Sequence, residues 1–338
     1  MWRFDICRSW DEIASEGYRE AWAELMARSS VAHPFFHPAL VDAWLETYRP
    51  LRHLEPLFVH ATDGASEAFL PLVLWRRNWR NGFVRLLIPV GYSDFDYHDA
   101  AFVGEQADFY PALLDQLRRL PFDRIELPGL HDTIPHLTRT EERCPLLELS
   151  PFADLEHYLA QCPHKLTADT KRQQRRLEQH GTVQVRKFST QTSAAWEPSL
   201  EALLRCFRQH WPQAYIAPHL HRNLLRRGMD SGLADVVTTA VDGNDVAWAF
   251  LFHHRQTTFY YLPASDPSFQ NFSVGRLTLM ACIGQAFERG DQRFDFLRGD
   301  EAYKQQWTTS TQTIYNHLCV GQRPASVVRN RLYTLRRR

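Results

Sequence analysis

The densest run of reactive side chains is Phe294-Asp295-Phe296-Leu297-Arg298-Gly299-Asp300-Glu301-Ala302-Tyr303-Lys304-Gln305-Gln306-Trp307. An apolar strand leading into Arg, Gly, Asp and Glu, then Tyr, Lys and Trp, gathers polar groups at a strand end, where open sheets form clefts. Arg298 and Lys304 have the charge to stabilise an anionic oxygen or a phosphate. Asp300 or Glu301 could take a proton from an attacking amine or hydroxyl, and Tyr303 could give one to a departing thiolate. The same residues also make an ordinary charged turn with Tyr303 and Trp307 packed beneath it. Composition alone favours the turn.

A second candidate is Pro267-Ser268-Phe269-Gln270-Asn271-Phe272-Ser273-Val274-Gly275-Arg276. It joins a strand to a helix, with Ser273 as an N-cap and Gly275 permitting close backbone approach. Bare N–H groups at a helix start suit a phosphate, so Gln270, Ser273, Val274, Gly275 and Arg276 form a candidate pyrophosphate cradle. In the first half, Asp94, Asp96, Tyr97, His98 and Asp99 could bind an amine or sugar hydroxyls, or could be a solvated loop. The sixteen histidines do not make a metal site by spacing. Pro34 and Pro38 interrupt His33 and His37, His253 and His254 alternate across a strand, and His219 and His221 lack a third ligand. No metal is expected. There is also no Gly-x-Ser-x-Gly elbow or Cys–His pair to suggest a covalent intermediate.

The elements that must position these groups can be read from periodicity and punctuation. In the first half, strands are predicted at 2–6, 56–60, 69–75, 83–89, 101–103 and 124–127, and helices over 10–28, 38–45 and 110–120. A boundary falls near 149–151. Beyond it come a basic helix over 165–180, capped by Gly181 in the left-handed region, and a strand at 183–188. A helix after Trp196 follows, carrying Leu200, Leu203, Leu204, Phe207 and Trp211 on one face. Strands are predicted at 235–241, 246–253 and 257–262, the first two joined by Asp242-Gly243-Asn244-Asp245. A helix over 273–289 ends at Gly290, and strands at 293–297 and 313–320 follow. Arg124-Ile125-Glu126-Leu127-Pro128-Gly129 and Arg293-Phe294-Asp295-Phe296-Leu297-Arg298-Gly299 echo one another, each directly after a helix, which hints at an internal repeat.

The chain has 338 residues, enough for two domains. Its 39 basic and 39 acidic residues cancel, which argues against a dedicated duplex-DNA binder. Six scattered cysteines without a CxxC suggest reduced thiols and a cytoplasmic protein. No apolar run reaches the roughly 20 residues that span a bilayer. The basic run Arg336-Arg337-Arg338 reads as a frayed tail, and the basic face of the 165–180 helix as a solvated one.

From Val246 to Trp307 the sequence resembles the CelD-type (cellulose-biosynthesis) acetyltransferases of the GNAT superfamily, relatives of the FemAB transferases. The likeness rests on Tyr260-Tyr261-Leu262, on Ser273-Val274-Gly275 before a long helix, and on Asp295 to Glu301 with Tyr303-Lys304 and Trp307. Val274 stands where that family has proline. The helix with Lys171-Arg172-Gln173-Gln174-Arg175-Arg176 and the segment Gly91-Tyr92-Ser93-Asp94-Phe95 with Asp99 are also similar to family segments. The resemblance implies an α/β (α+β) fold of two tandem GNAT-like domains, each a mixed, mostly antiparallel sheet flanked by helices. They would occupy 1–150 and 151–325, with a basic tail over 326–338. It also implies acyl transfer from acyl-CoA, acetyl-CoA first, by direct attack of an amine or hydroxyl, with an acceptor site between the domains. Lys304, Asp300, Arg298, Tyr303 and Glu301 would be catalytic, and Tyr92, Asp94, Tyr97, Asp99, Tyr261 and Trp307 would meet the acceptor, a small molecule or polysaccharide precursor. Two other readings are an aminoacyl-tRNA-dependent FemAB-like transferase, disfavoured by the lack of a long heptad arm, and a non-catalytic module of exopolysaccharide assembly.

Overall fold

β-branched and aromatic residues fill the strand segments, and Asp242 and Gly243, at φ 49° and 83°, close a two-residue hairpin with the twist that strands favour. The computed structural model describes residues 1–77, 83–190, 195–214 and 217–337, with the side chains of 336–337 left aside. It divides into two units, residues 1–142 with 313–338, and residues 143–312.

The first unit begins β1 (Arg3–Cys7), α1 (Trp10–Ala14), α2 (Glu16–Arg28), α3 (Pro38–Tyr48), β2 (Leu54–Asp63) and β3 (Ser66–Trp75). It continues β4 (Leu86–Pro89), β5 (Ala101–Val103), α4 (Phe109–Leu117) and β6 (Arg124–Leu130). Strand β7 (Thr138–Glu148) carries the chain into the second unit. There follow α5 (Leu155–Gln161), α6 (His164–His180), β8 (Val183–Phe188), α7 (Glu197–His210), α8 (Leu220–Asp230), β9 (Ala234–Val241), β10 (Asn244–His254) and β11 (Thr257–Ser265). A 3-10 turn (Pro267–Phe272) leads to α9 (Val274–Arg289), β12 (Arg293–Asp295) and α10 (Ala302–Gln305), after which β13 (Ser310–Val320) and α11 (Pro324–Arg337) complete the first unit.

The two sheets repeat one another. In the first unit the order is β1-β2-β3-β4-β6-β13, antiparallel except for the parallel pair β4/β6, with β5 also on β3. In the second it is β8-β9-β10-β11-β12-β7, antiparallel except for β11/β12. The echo between 124–129 and 293–299 therefore marks equivalent strands, β6 and β12. Each sheet takes its sixth strand from the other half of the sequence. A reading along the chain could not find that exchange, so the expected split at 150/151 and the grouping of 313–325 with the second half differ from what is observed.

In the second unit, α9 covers one face, where Leu279, Cys282 and Ile283 meet Ala249, Leu251, Tyr260, Phe294 and Phe296. Burying each of these large side chains contributes roughly 2–3 kcal/mol. On the other face, Ser199 of α7 accepts the Trp248 indole N–H at 3.0 Å.

Several local expectations are corrected. The 10–28 helix breaks at Ser15, whose ψ of 146° is extended. Gly181 sits at φ −179°, not in the left-handed region; it is needed because a Cβ there would collide with the Asp242 carboxylate. Trp211 is 53% exposed beyond the apolar face of α7. Residues 326–337, expected to form a basic tail, lie in a helix. Helix α11 docks on Asp123, whose carboxylate accepts from Ser326 Oγ at 2.6 Å and Arg329 at 3.2 Å while its carbonyl accepts from Asn330 at 2.6 Å. Burial alone would raise the Asp123 pKa, but Ser326, Arg77 and the Arg85 N–H hold it at about 2. The fraying expected of Arg336, Arg337 and Arg338 falls on side chains outside the described residues.

Candidate active site

Strands β11 and β12 are parallel neighbours, so both their following segments leave the same end of the second unit's sheet. Their pairing runs only from Thr257↔Arg293 to Phe259↔Asp295. Beyond it β11 continues to Ser265, while the chain after β12 turns away. The gap opens where β11 is also distorted: Phe250 pairs with Leu262 and Leu251 with Tyr260, so Tyr261 is the extra residue of a bulge. Bulges re-aim side chains and concentrate beside functional sites. The Tyr261 ring packs edge-on to Phe250, with centroids 5.4 Å apart, and lies 6.1 Å from His221 on α8. Burial, then the charge of Arg208, lowers the His221 pKa to about 4, so it is neutral at pH 7. No sequence pattern pointed to the bulge or to His221.

At the far end of β11, Asp266 caps the 3-10 turn by accepting from the Ser268 N–H at 2.8 Å. Ser273 then adopts φ 52°, and the N–H groups of Arg276 and Leu277 turn back to its carbonyl at 2.9 and 3.3 Å. The first N–H groups of the 16-residue α9 precede any intrahelical partner. Ser273 supplies no side-chain cap bond, contrary to expectation, because its left-handed backbone turns the hydroxyl away. The Val274 side chain is buried in the core with Leu177 and Leu277, so only its backbone can meet a ligand. A Cβ on Gly275 would come no nearer than 3.8 Å to anything, which leaves open space at this helix start. Gln270 is exposed and Arg276 half-buried beside it.

The 298–301 loop is built rather than loose. Leu297 takes φ 59° and Gly299 φ 103°. The buried Asp295 holds the turn by accepting from the Leu297 N–H at 2.7 Å and from Gln312 at 3.0 Å. Lys304 is 5% exposed; its ammonium donates to the Arg298 carbonyl at 2.6 Å and pairs with Glu301 at 2.9 Å. Lys304 and Glu301 are thus a staple across the loop. Asp300, exposed, accepts from Gln305 at 2.6 Å and lies 3.7 Å from Arg143. Arg298 is half-buried in the same loop, and Tyr303 is 40% exposed. Burial, then the Glu301 charge, raises the Tyr303 pKa, so its phenol stays protonated. Trp307, expected at the acceptor, is 2% exposed in the core under Tyr158, whose hydroxyl donates to its carbonyl at 2.5 Å.

The first-half candidates are engaged inside the first unit. Tyr92 hydrogen-bonds Glu126. Tyr97, 1% exposed, packs among His33, Phe35 and His131. Asp99 accepts from the His131 backbone and ring at 2.8 and 2.7 Å. Tyr97 is therefore a core member, while Asp99 is half-buried against His131. Asp94 accepts from Trp44 Nε1 at 2.9 Å and Tyr48 Oη at 3.2 Å, yet burial wins and raises its pKa to about 6. A carboxyl raised in the folded state binds its proton more tightly there, so folding stability falls as pH rises from about 4 to about 6 and is level above. Asp94→Asn is expected to remove that slope, worth about 3 kcal/mol for a shift of about two units. Melting temperatures of the parent and variant between pH 4 and 7 check this, and parallel curves would refute it.

With this geometry in view, residues 164–305 match the family model described as an acetyltransferase (GNAT) domain, so the second unit carries a GNAT-type domain. Solved structures show the tandem form over nearly the whole chain. The crystal structure of FemX is similar at TM-score 0.63 and 10% identity, covering 94% of this chain and 98% of that one. A tandem GNAT protein from the clavulanic acid biosynthesis pathway is similar at TM-score 0.50 and 11% identity, over 95% and 99%. The C-terminal domain of a putative lysylphosphatidylglycerol synthetase from Agrobacterium fabrum is similar at TM-score 0.58 and 13% identity, over 95% and 97%. No curated protein matches the chain. Among the described residues no helix is long and apolar enough to cross a membrane, and no group of three or more His, Cys, Asp or Glu could hold a metal.

Proposed function

We propose that the second unit transfers an acyl group, acetyl first, from acyl-CoA to an amine or hydroxyl of a small molecule or polysaccharide precursor, as in the CelD-type branch. The observation that carries this reading is the split between β11 and β12, with a bulge at Tyr261 on one side and the opening turn of α9 at its end. From Tyr260 to Ser265, β11 runs about 17 Å at ~3.3 Å per residue, enough to lay an extended donor arm along the strand. The backbone N–H groups of 274 and 275 would hold its pyrophosphate, with the side chains of Gln270 and Arg276 alongside.

The donor supplies a thioester, whose carbonyl the acceptor attacks directly. Tyr303, kept protonated, gives its hydrogen bond or proton to the departing sulfur. Asp300 at the loop rim orients the acceptor, and Arg298 offsets negative charge there. Lys304 and Glu301 act as positioning residues by fixing the loop. The neutral His221 beside the bulge is available to accept the proton the nucleophile loses.

Thermal unfolding with acetyl-CoA, a long-chain acyl-CoA and an aminoacyl-tRNA tests this. A ligand at about 100 times its Kd stabilises the folded state by about 2.7 kcal/mol, so acetyl-CoA is expected to raise the melting temperature by several degrees. No shift with any acyl-CoA would refute the proposal, and a shift with the tRNA alone would favour the FemAB-like reading.

A further inference from the structure

The first unit gathers a second set of cations on a cleft that the transfer chemistry does not use. The turn leaving α3 carries Arg49, Arg52 and His53, and the end of β3 carries Arg76; with Trp10 and Leu54 they line a cleft of about 300 Å³. The Arg49 guanidinium lies 4.3 Å from the Trp10 ring centroid, and the Arg52 guanidinium 4.9 Å from that of Trp75. Stacking fixes a guanidinium by its flat face and leaves its N–H edge to point at a ligand. Arg52 donates from Nη1 to the Leu51 carbonyl at 3.3 Å. Its Nε is shielded from solvent with no hydrogen-bond partner among the described residues. A buried charged donor without an acceptor is destabilising until something meets it.

Glu55 is the one acid among the described residues lining this cleft or its neighbour, and it is paired with Arg76. The negative end of α3 offsets part of the repulsion among these cations but offers nothing to the Arg52 Nε. A second cleft, of about 340 Å³, shares Trp10, Leu54 and Arg76 with the first and is walled by Pro56, Leu57, Leu74 and Leu120. One compartment is cationic, and the adjoining one sets an apolar wall beside Arg8, Glu55 and Arg76.

We propose that these joined clefts bind a small organic phosphate. Its phosphate sits against Arg49, Arg52 and Arg76, and its apolar body lies along Trp10 and Leu54 into the second cleft. A phosphate offers several oxygens and up to two charges, which matches three guanidinium groups better than a single carboxylate does.

Calorimetric titration of the full chain with inorganic phosphate, octyl phosphate, adenosine monophosphate and octyl glucoside tests the site. At least one of the two organic phosphates is expected to bind about tenfold or more tighter than inorganic phosphate, and the tighter one identifies the body as alkyl or aromatic. Octyl glucoside is expected not to bind. Arg49→Gln with Arg52→Gln is expected to weaken the organic phosphate by about 100-fold. Because Arg49 is exposed and Arg52 only half-buried, the variant should melt close to the parent, and unfolding curves check that. Equal affinity for organic and inorganic phosphate, binding of octyl glucoside, or a folded variant that binds as the parent does would each overturn the proposal.

Discussion

Gly275→Glu is expected to weaken acetyl-CoA binding by about 100-fold or more while leaving the fold intact. The fold tolerates it because Gly275 has an ordinary helical φ and its Cβ would find nothing nearer than the Ser265 hydroxyl at 3.8 Å. A carboxylate in the first turn even favours the helix by a few tenths of a kcal/mol through the dipole. The same charge would occupy the space proposed for a pyrophosphate and repel it, and a 100-fold loss corresponds to about 2.8 kcal/mol. Calorimetric affinity and melting temperature together decide the matter. Unchanged affinity in a protein that melts like the parent would move the donor away from the start of α9.

Lys304→Ala is expected to destabilise the protein by about 3 kcal/mol, the upper scale for leaving a buried carbonyl without its donor, because the Glu301 partner is 40% exposed and adds little. The substitution strands the Arg298 carbonyl and the Glu301 carboxylate, which the ammonium meets at 2.6 and 2.9 Å. At roughly 2–4 °C per kcal/mol for a unit of this size, melting should fall by about 6–12 °C. Asp300→Ala removes only an exposed carboxylate and should shift stability by less than about 0.5 kcal/mol, while lowering turnover through the acceptor. If Lys304→Ala melted like the parent and lost only turnover, Lys304 would be a chemical participant and the staple a side effect.

Some elements of the second unit are legible from the sequence alone. Val183–Phe188 is legible at its observed ends because Val183, Val185 and Phe188 follow the Gly181 break, and α9 because Gly290, at φ 78°, closes it. Helix α8 and strand β7 are among the elements not predicted, with α5, α10 and α11. The first follows a loop without a usable cap, and the second begins Thr-Arg-Thr-Glu-Glu-Arg, a polar stretch whose strand character comes from its neighbours rather than its own residues. Trp307 and Tyr97 read as surface residues because their types can do chemistry, whereas their burial depends on contacts far away in sequence. The roles of Lys304 and Glu301 show the same limit. An i, i+3 pair of opposite charges is visible in the sequence, but its use against the carbonyls of a left-handed turn is not.

The exchange of sixth strands sets an order on how the protein can be made. During synthesis the first sheet must wait with β6 lacking its β13 neighbour until residues beyond 313 have emerged from the ribosome, while the second unit can close as soon as its own strands are out. A chain cut after residue 312 would keep every group proposed for acyl transfer, yet would leave a bare apolar strand edge prone to pairing with other chains. Loss of solubility in such a truncation would therefore report on assembly of the first sheet, not on the chemistry of the second.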